Sequence, residues 1–351
     1  MSGTSLDGLD IAYCEFEKKK TWQYRIIYAE TKKYNHSWKS KLSHAFKKGQ
    51  SDLKRLDTLY GKFIGKEILK FKKKYKIQAD LVASHGHTIF HQPQKKYTLQ
   101  IGDGASISSV CQWSVVCDFR SGDVALGGQG APLVPLVDKM LFSGYDLCMN
   151  LGGFANISFD NPKGTRIAFD ICPVNIVLNE LAAKMGKEYD SGGKMAARGR
   201  IHEGLLKKLN ALHFYKIQPP KSLGREWVEQ QFLPVLNSVG ISIQDKLRTV
   251  VEHIAIQISR AIKWYGTPTL LITGGGAYNR FLLKRIGFLT ACKIVLPNDK
   301  TIQFKEAMAF AFLGVLKKRG EINILKSVTG AKRDSSGGEM YFPDQKAESS
   351  L

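Results

Sequence analysis

Residues 147–156 read Leu147-Cys148-Met149-Asn150-Leu151-Gly152-Gly153-Phe154-Ala155-Asn156. An apolar run, a double glycine and a second apolar run describe a strand, a tight turn and a strand that returns as far as Phe159. A third strand is expected over 166–169, ending on Asp170. The first residues carry the same punctuation. Gly3-Thr4-Ser5-Leu6-Asp7-Gly8 is a turn, Leu9, Ile11, Tyr13 and Phe16 alternate as a strand, and a second strand is expected over 22–29. Each half then becomes helical. Leu53, Leu56, Tyr60, Phe63, Ile64 and Ile68 fall on one stripe of a helix over 51–75. Further helices are expected over 175–185, 246–264 and 305–317. The pattern is α/β and is repeated once per half as architecture, without residue identity. One oddity is that the Gly3 turn has almost nothing before it. A hairpin needs two strands, so an apolar strand is expected upstream of Met1.

A chain of 351 residues is long for one core and comfortable for two, so two lobes are expected. Residues 1–132, rejoined by 320–351, form the first, and 133–319 the second. The turn-rich stretch from Asp118 to Pro132 looks like the crossing between them. The N-terminal residues lack the basic and apolar regions of a signal peptide, and no run is apolar enough for a transmembrane helix. The six cysteines (Cys14, Cys111, Cys117, Cys148, Cys172, Cys292) have no CxxC or zinc-like spacing. These features read as reduced thiols in a cytoplasmic protein without a membrane partner. The net charge of +21 comes largely from lysine clusters such as Lys18-Lys19-Lys20 and Lys72-Lys73-Lys74. No nucleic-acid motif accompanies them, so they read as a solvated face that attracts anionic small molecules.

Three glycine turns adjoin strands: Gly3 to Gly8, Gly152-Gly153 with Asn156, and Gly274-Gly275-Gly276 after Thr269-Leu270-Leu271-Ile272-Thr273. Glycine lets backbone N–H groups approach phosphate oxygens, and Thr4 and Ser5 add hydroxyl donors. One such turn is ordinary; three point to a nucleotide. None fits GxxxxGK[ST] or GxGxxG, which disfavours Walker-type and NAD sites. Asp7 and Asp10 are candidates for Mg²⁺ contact, through water. Asp170, in Ala168-Phe169-Asp170, suits either a general base or a cap for the helix near Asn175. Glu306 suits either a ligand contact or a helix first-turn acid. The histidines of Ser84-His85-Gly86-His87-Thr88-Ile89-Phe90-His91 lack a metal-binding frame, and that loop better suits hydrogen bonds to a polyhydroxy ligand.

Together these strings resemble the anhydro-N-acetylmuramic acid kinase family. The resemblance rests on residues 1–10, 84–88, Gln100-Ile101-Gly102-Asp103, Asp118-Phe119-Arg120, Gly127-Gly128-Gln129-Gly130-Ala131-Pro132 and 150–156. It continues through Pro219-Pro220-Lys221-Ser222, Gly274-Gly275-Gly276, the helix at Glu306 and Thr329-Gly330-Ala331, in order, to about residue 343. It implies a two-lobed, internally duplicated fold of the actin/hexokinase-like (ASKHA, ribonuclease H-like) class, with ATP and Mg²⁺ in a central cleft. It further implies hydrolysis of a 1,6-anhydro amino sugar with phosphorylation of O6, in peptidoglycan recycling by a homodimer. Asp170 becomes the base that activates water. Thr88, Arg120 and Glu306 become sugar contacts. Gly3, Thr4, Ser5, Asp7, Gly8, Asp10, Gly152, Gly153, Asn156, Gly274, Gly275 and Gly276 become ATP contacts.

The chain departs from the family pattern after Asp170. Ile171-Cys172-Pro173-Val174-Asn175 stands where the family usually has Thr-Gly-Pro-Gly-Asn, and His87 replaces a glutamine. The altered loop favours, as an alternative, a related kinase for another amino sugar. A catalytically silent sugar or nucleotide sensor is the other alternative, and retention of both Asp170 and Glu306 speaks against it.

Overall fold

The apolar stripe over 51–75 becomes a 26-residue helix, Gln50–Tyr75, that buries Leu53, Leu56, Tyr60, Ile64, Ile68 and Phe71. Three lysines in its last turn complement the negative end of the helix dipole. The computed structural model describes residues 1–3 and 6–343, so Thr4 and Ser5 lie outside the described residues. The chain divides into two compact units: Met1–Leu141 with the described part of Phe304–Leu351, and Phe142–Gln303. Both mix helices with strands. Among the described residues no helix is long and apolar enough to cross a membrane.

The first unit opens with β1 (Gly8–Lys18), β2 (Trp22–Lys33), β3 (Val82–Ala83), β4 (His87–Gln92), β5 (Tyr97–Ile101) and β6 (Val115–Cys117). The second holds β7 (Leu147–Leu151), β8 (Phe154–Asp160), β9 (Arg166–Pro173), β10 (Thr269–Thr273) and β11 (Lys293–Val295), and β12 (Glu339–Tyr341) returns to the first. In the first unit β1 pairs antiparallel with β2, β4 with β5, and β12-β6-β3 form a three-stranded sheet. Gly8 is dictated by this pairing: a Cβ there would stand 2.5 Å from the Lys32 carbonyl oxygen on the adjacent strand. The core of this unit gathers Leu9, Tyr34, Tyr60, Ile64, Ile101, Ile107 and Val115 around the Gln50–Tyr75 helix.

The second unit is built on one five-stranded sheet in the order β11-β10-β7-β8-β9. β10 lies parallel to both β11 and β7, whereas β7, β8 and β9 alternate antiparallel. The C-terminal ends of β7 and β10 therefore share one edge, which is where α/β sheets place ligands. The helix Ile243–Ile262 packs on this sheet with Leu247, Val250, Val251, Ile254 and Ile258 all buried.

Two expectations change. The third strand of the second unit does not stop at Asp170. It runs to Pro173, because Cys172 pairs with Ala155 and Pro173 with Phe154. The helix expected over 305–317 is the second run of the stretch Asp299–Lys318, which a non-helical Phe304 (φ −115°, ψ 16°) divides, so Glu306 stands in the first turn after the break. Asp170 is not the cap of the next helix, Asn175–Ala183, whose N-cap is Val174 without a side-chain cap bond.

Candidate active site

In the first unit the candidate residues converge on Arg120. Its Nε donates to His85 Nε2 at 2.9 Å, and its Nη1 donates to the Gly130 carbonyl at 2.6 Å. His85, almost fully buried, must be neutral to accept at Nε2, and Nδ1–H then faces the Gly86 carbonyl at 3.3 Å. Burial, reinforced by Arg120, holds this imidazole well below its ordinary pKa. Arg120 itself is pulled down to about 10 by burial, opposed by the charge of Glu306. Burial raises Glu306 in turn, and Arg120 opposes that shift. The Glu306 side chain keeps solvent access by surface area, yet protein crowds it enough for desolvation to dominate its proton affinity. A carboxylate and a guanidinium held this way, with solvent access, can hydrogen-bond the hydroxyls of a sugar.

Asp123 fixes the loop behind Arg120. It is 0% exposed; Oδ2 accepts from Gly130 N–H at 2.8 Å and Oδ1 from the Thr329 hydroxyl at 2.8 Å. The Gly127–Ala131 loop and the Thr329-Gly330-Ala331 tail are joined by this carboxylate and by the Gln129 N–H, which donates to the Thr329 carbonyl at 2.8 Å. Thr88 sits on β4 next to His87, opposite Gln100 of β5. The His87 Nδ1 meets Ser2 Oγ at 3.0 Å and ties β4 to the Gly3 turn. In that turn Leu6 N–H reaches the Gly3 carbonyl at 3.3 Å, and Leu6 adopts a left-handed φ of 57°. Asp10 accepts from the Thr31 hydroxyl at 2.6 Å; burial first, and Asp7 to a smaller extent, raise its pKa. Carboxylate oxygens are the hard donors that divalent cations such as Mg²⁺ take. Among the described residues, no group of three or more His, Cys, Asp or Glu side chains is arranged to hold a metal without other ligands.

In the second unit Asp170 lies on β9 opposite Asn156 of β8, beside a register irregularity at Ala155/Asn156. Such a bulge re-aims side chains locally. The segment after a Pro219-Pro220 cis peptide clasps Asp170 at two points. Asp170 N–H donates to the Lys221 carbonyl at 3.0 Å, and Leu223 N–H donates to Asp170 Oδ2 at 2.7 Å. Burial raises the carboxyl, and the Leu223 N–H partly offsets it. The β7–β8 turn is pinned to the next helix: Val174 N–H reaches the Gly153 carbonyl at 2.8 Å and Asn175 Nδ2 the Leu151 carbonyl at 3.1 Å. Gly274 takes φ 83°, and a Cβ on Gly276 would stand 2.6 Å from Leu151 Cβ. The second and third glycine turns, Asn156 and Asp170 thus gather at one end of this sheet. Glycine turns beside a helix start can receive phosphate, and a buried carboxylate with one oxygen held can take a proton from water.

A family model described as anhydro-N-acetylmuramic acid kinase matches residues 1–343. The chain belongs to the anhydro-N-acetylmuramic acid kinase family. Similar curated proteins carry that same name. One from Francisella tularensis subsp. novicida is 34% identical, over 97% of both chains. One from Pseudomonas fluorescens is 34% identical, over 97% of this chain and 98% of the relative. One from Coxiella burnetii is 33% identical, over 98% and 97%. A solved structure, the activator of the 2-hydroxyisocaproyl-CoA dehydratase from Clostridium difficile with bound ADPNP, covers 50% of this chain and 61% of its own. Its identity is 15% and its TM-score 0.32, a likeness that carries no argument.

Within this member of the kinase family, four contributors were not legible as site residues from sequence. His85 stood in a quoted loop, but nothing in its spacing revealed Arg120 as its donor. Asp123 looks like a turn residue until its two buried bonds are seen. Lys221 and Leu223 act through backbone atoms, which leave no side-chain signature. The Pro219-Pro220 pair was the available signal that the chain is held rigid there.

Proposed function

We propose that this chain hydrolyses the anhydro bridge of 1,6-anhydro-N-acetylmuramic acid and phosphorylates O6 with ATP, giving N-acetylmuramic acid 6-phosphate in cell-wall recycling. The observation that carries the reading is Asp170. It is a carboxylate clasped by backbone beside the glycine turns, in a chain matched to this kinase family over residues 1–343. A water oxygen bonds to the anomeric carbon as the bond from that carbon to O6 breaks, and Asp170 takes the water proton. The freed O6 then accepts the γ-phosphoryl group, and ADP leaves. Arg120, Glu306 and Thr88 orient the sugar. Gly3, Thr4, Ser5, Gly8, Gly152, Gly153, Asn156, Gly274, Gly275 and Gly276 receive ATP. Asp7 and Asp10 suit Mg²⁺ that keeps part of its water shell, and when bound it supplies charge neutralisation for the phosphates. The duplicated two-lobed fold, a homodimer and a cytoplasmic location belong to the same proposal. The names of the relatives give no support to a silent sensor or to a different amino sugar as acceptor.

The test is ATP turnover with 1,6-anhydro-N-acetylmuramic acid and Mg²⁺, with Asp170→Asn in parallel. The expected products are ADP and a ring-opened 6-phosphate, and the variant should lose about 10²–10⁴-fold in kcat, the usual worth of a positioned base. Undiminished turnover by the variant would remove Asp170 from its role, and absence of product in the parent would remove the substrate.

A further inference from the structure

The helix Ile243–Ile262 buries Val250, Val251, Ile254 and Ile258 against the sheet of the second unit, and among them it fully buries a histidine, His253. A polar ring in that position is costly unless its nitrogens are bonded. Both are. Nδ1 stands 2.8 Å from Asn210 Oδ1, and Nε2 stands 2.9 Å from the Tyr215 hydroxyl. Asn210 Oδ1 also accepts from Gln257 Nε2 at 2.7 Å. That oxygen can only accept, so His253 carries its proton on Nδ1, and Nε2 accepts from the Tyr215 O–H. Burial lowers the ring's pKa to about 3 and keeps it neutral.

Tyr215 belongs to the turn His213–Lys216, which follows the helix Glu203–Asn210. From there the chain runs through residues 217–220, all exposed, to Lys221 and Leu223, whose backbones grip Asp170. Among the described residues, 217–224 form no helix or strand. The grip therefore takes its position from its anchors and not from a ladder of its own. The turn is such an anchor. Lys221 Nζ donates back to the Phe214 carbonyl at 3.2 Å and lies 4.6 Å from the centre of the Phe214 ring. The neighbouring Tyr215 ring meets His253 edge-on, with centres 4.9 Å apart. Trp227, just past the grip, packs on Phe214 at 5.4 Å and on Tyr215 at 6.1 Å. A line of contacts thus leads from Asn210 through His253, Tyr215, Phe214 and Lys221 to the N–H of Asp170.

We propose that His253 and Tyr215 are positioning residues for Asp170. The buried pair fixes the 213–216 turn, and the turn, through Lys221, holds the 221–223 segment whose backbone orients the carboxylate. The role in catalysis rests on Asp170 being the base of the proposed reaction; the anchoring of the segment does not. Leu223 N–H holds Oδ2, so a shift of the segment turns the carboxyl, and a base works only when it is aimed at its water.

Two variants cut the line at different links. Tyr215→Phe removes the hydroxyl and keeps the ring, and Lys221→Met removes the ammonium and keeps the stem over Phe214. Amide exchange is followed in the full chain at Asp170 and Leu223, with Ile272 in β10 as the reference, since it pairs with Met149 well away from the segment in sequence. Each variant should speed exchange at Asp170 and Leu223 about tenfold and leave Ile272 unchanged. In the sugar kinase assay each should lower kcat about tenfold and leave KM for ATP within about twofold. The double variant should do little more than either alone, because the two links lie in series. Unmoved exchange at Leu223 in Tyr215→Phe would overturn the proposal. Equal acceleration at Ile272 would do the same, since the pair would then stabilise the whole unit and aim no single carboxylate. Faster exchange with kcat unchanged would also overturn it, because the segment would move without consequence for the base. Absence of turnover in the parent would remove the proposed reaction and not the anchoring, which the exchange comparison decides by itself.

Discussion

Arg120 offers two donors in a fixed fork, one to His85 Nε2 and one to the Gly130 carbonyl. A lysine has one ammonium and cannot meet both acceptors in that geometry. Arg120→Lys should therefore raise KM for the sugar about 10–100-fold, the worth of one to two charge-assisted bonds. KM for ATP should move much less, and steady-state kinetics with each substrate varied in turn separates the two. Equal rises in both constants would place Arg120 outside the sugar's contacts. Residues of this kind were only half legible in sequence. Arg120, Glu306 and Asp170 stand out because charged side chains next to apolar strands and glycine turns need a reason. Their surroundings do not, because His85 lies 35 residues from Arg120, Asp123 acts on Gly130 N–H and the distant Thr329 hydroxyl, and Leu223 acts through its main-chain N–H.

At the scale of elements, β9 presents Asp170 in mid-strand and the segment after Pro220 grips it from outside the sheet. Leu223→Pro removes the N–H that donates to Asp170 Oδ2 at 2.7 Å while leaving the carboxylate in place. That donor holds the pKa down against burial, so its loss must raise the pKa further. The acid limb of the kcat/KM profile, where the base becomes protonated, should shift to higher pH in the variant. An unmoved limb would mean that another group titrates there. The strands and long helices were readable from their periodicity, since the stripe over 51–75 and the run 147–151 each bury what they display. The end of β9 was not. Asp170 looks like a strand terminus in sequence, and only pairing of Cys172 and Pro173 with β8 shows that the strand continues. The short helical run from Asp299 was not read either, because a non-helical Phe304 separates it from the helix expected over 305–317.

For the whole molecule, buried imidazoles set the response to acid. Burial lowers His87 to about 4 and His253 to about 3, and depresses His85 as well. Each is neutral in the folded chain, while the unfolded chain binds protons at these sites from about pH 6.5 downward. Unfolded protein thus carries more protons in this window, and stability rises with pH there. Stability should be fully present above about pH 6.5 and fall as pH drops toward 4. His87 alone accounts for about 3 kcal/mol of that loss. Urea melts at pH 7, 5.5 and 4.5 measure it, and an unchanged midpoint across them would show that these histidines are charged in the fold. The central claim, that one chain opens the anhydro bridge with water and then phosphorylates the freed oxygen, is tested most directly by isotope. The reaction is run in ¹⁸O-water with ATP, and the product is analysed by mass spectrometry and ³¹P NMR. The account predicts one ¹⁸O at the anomeric carbon and none in the phosphate ester, with both signals lost in Asp170→Asn. Label appearing in the phosphate, or a phosphorylated product whose ring is still closed, would contradict it.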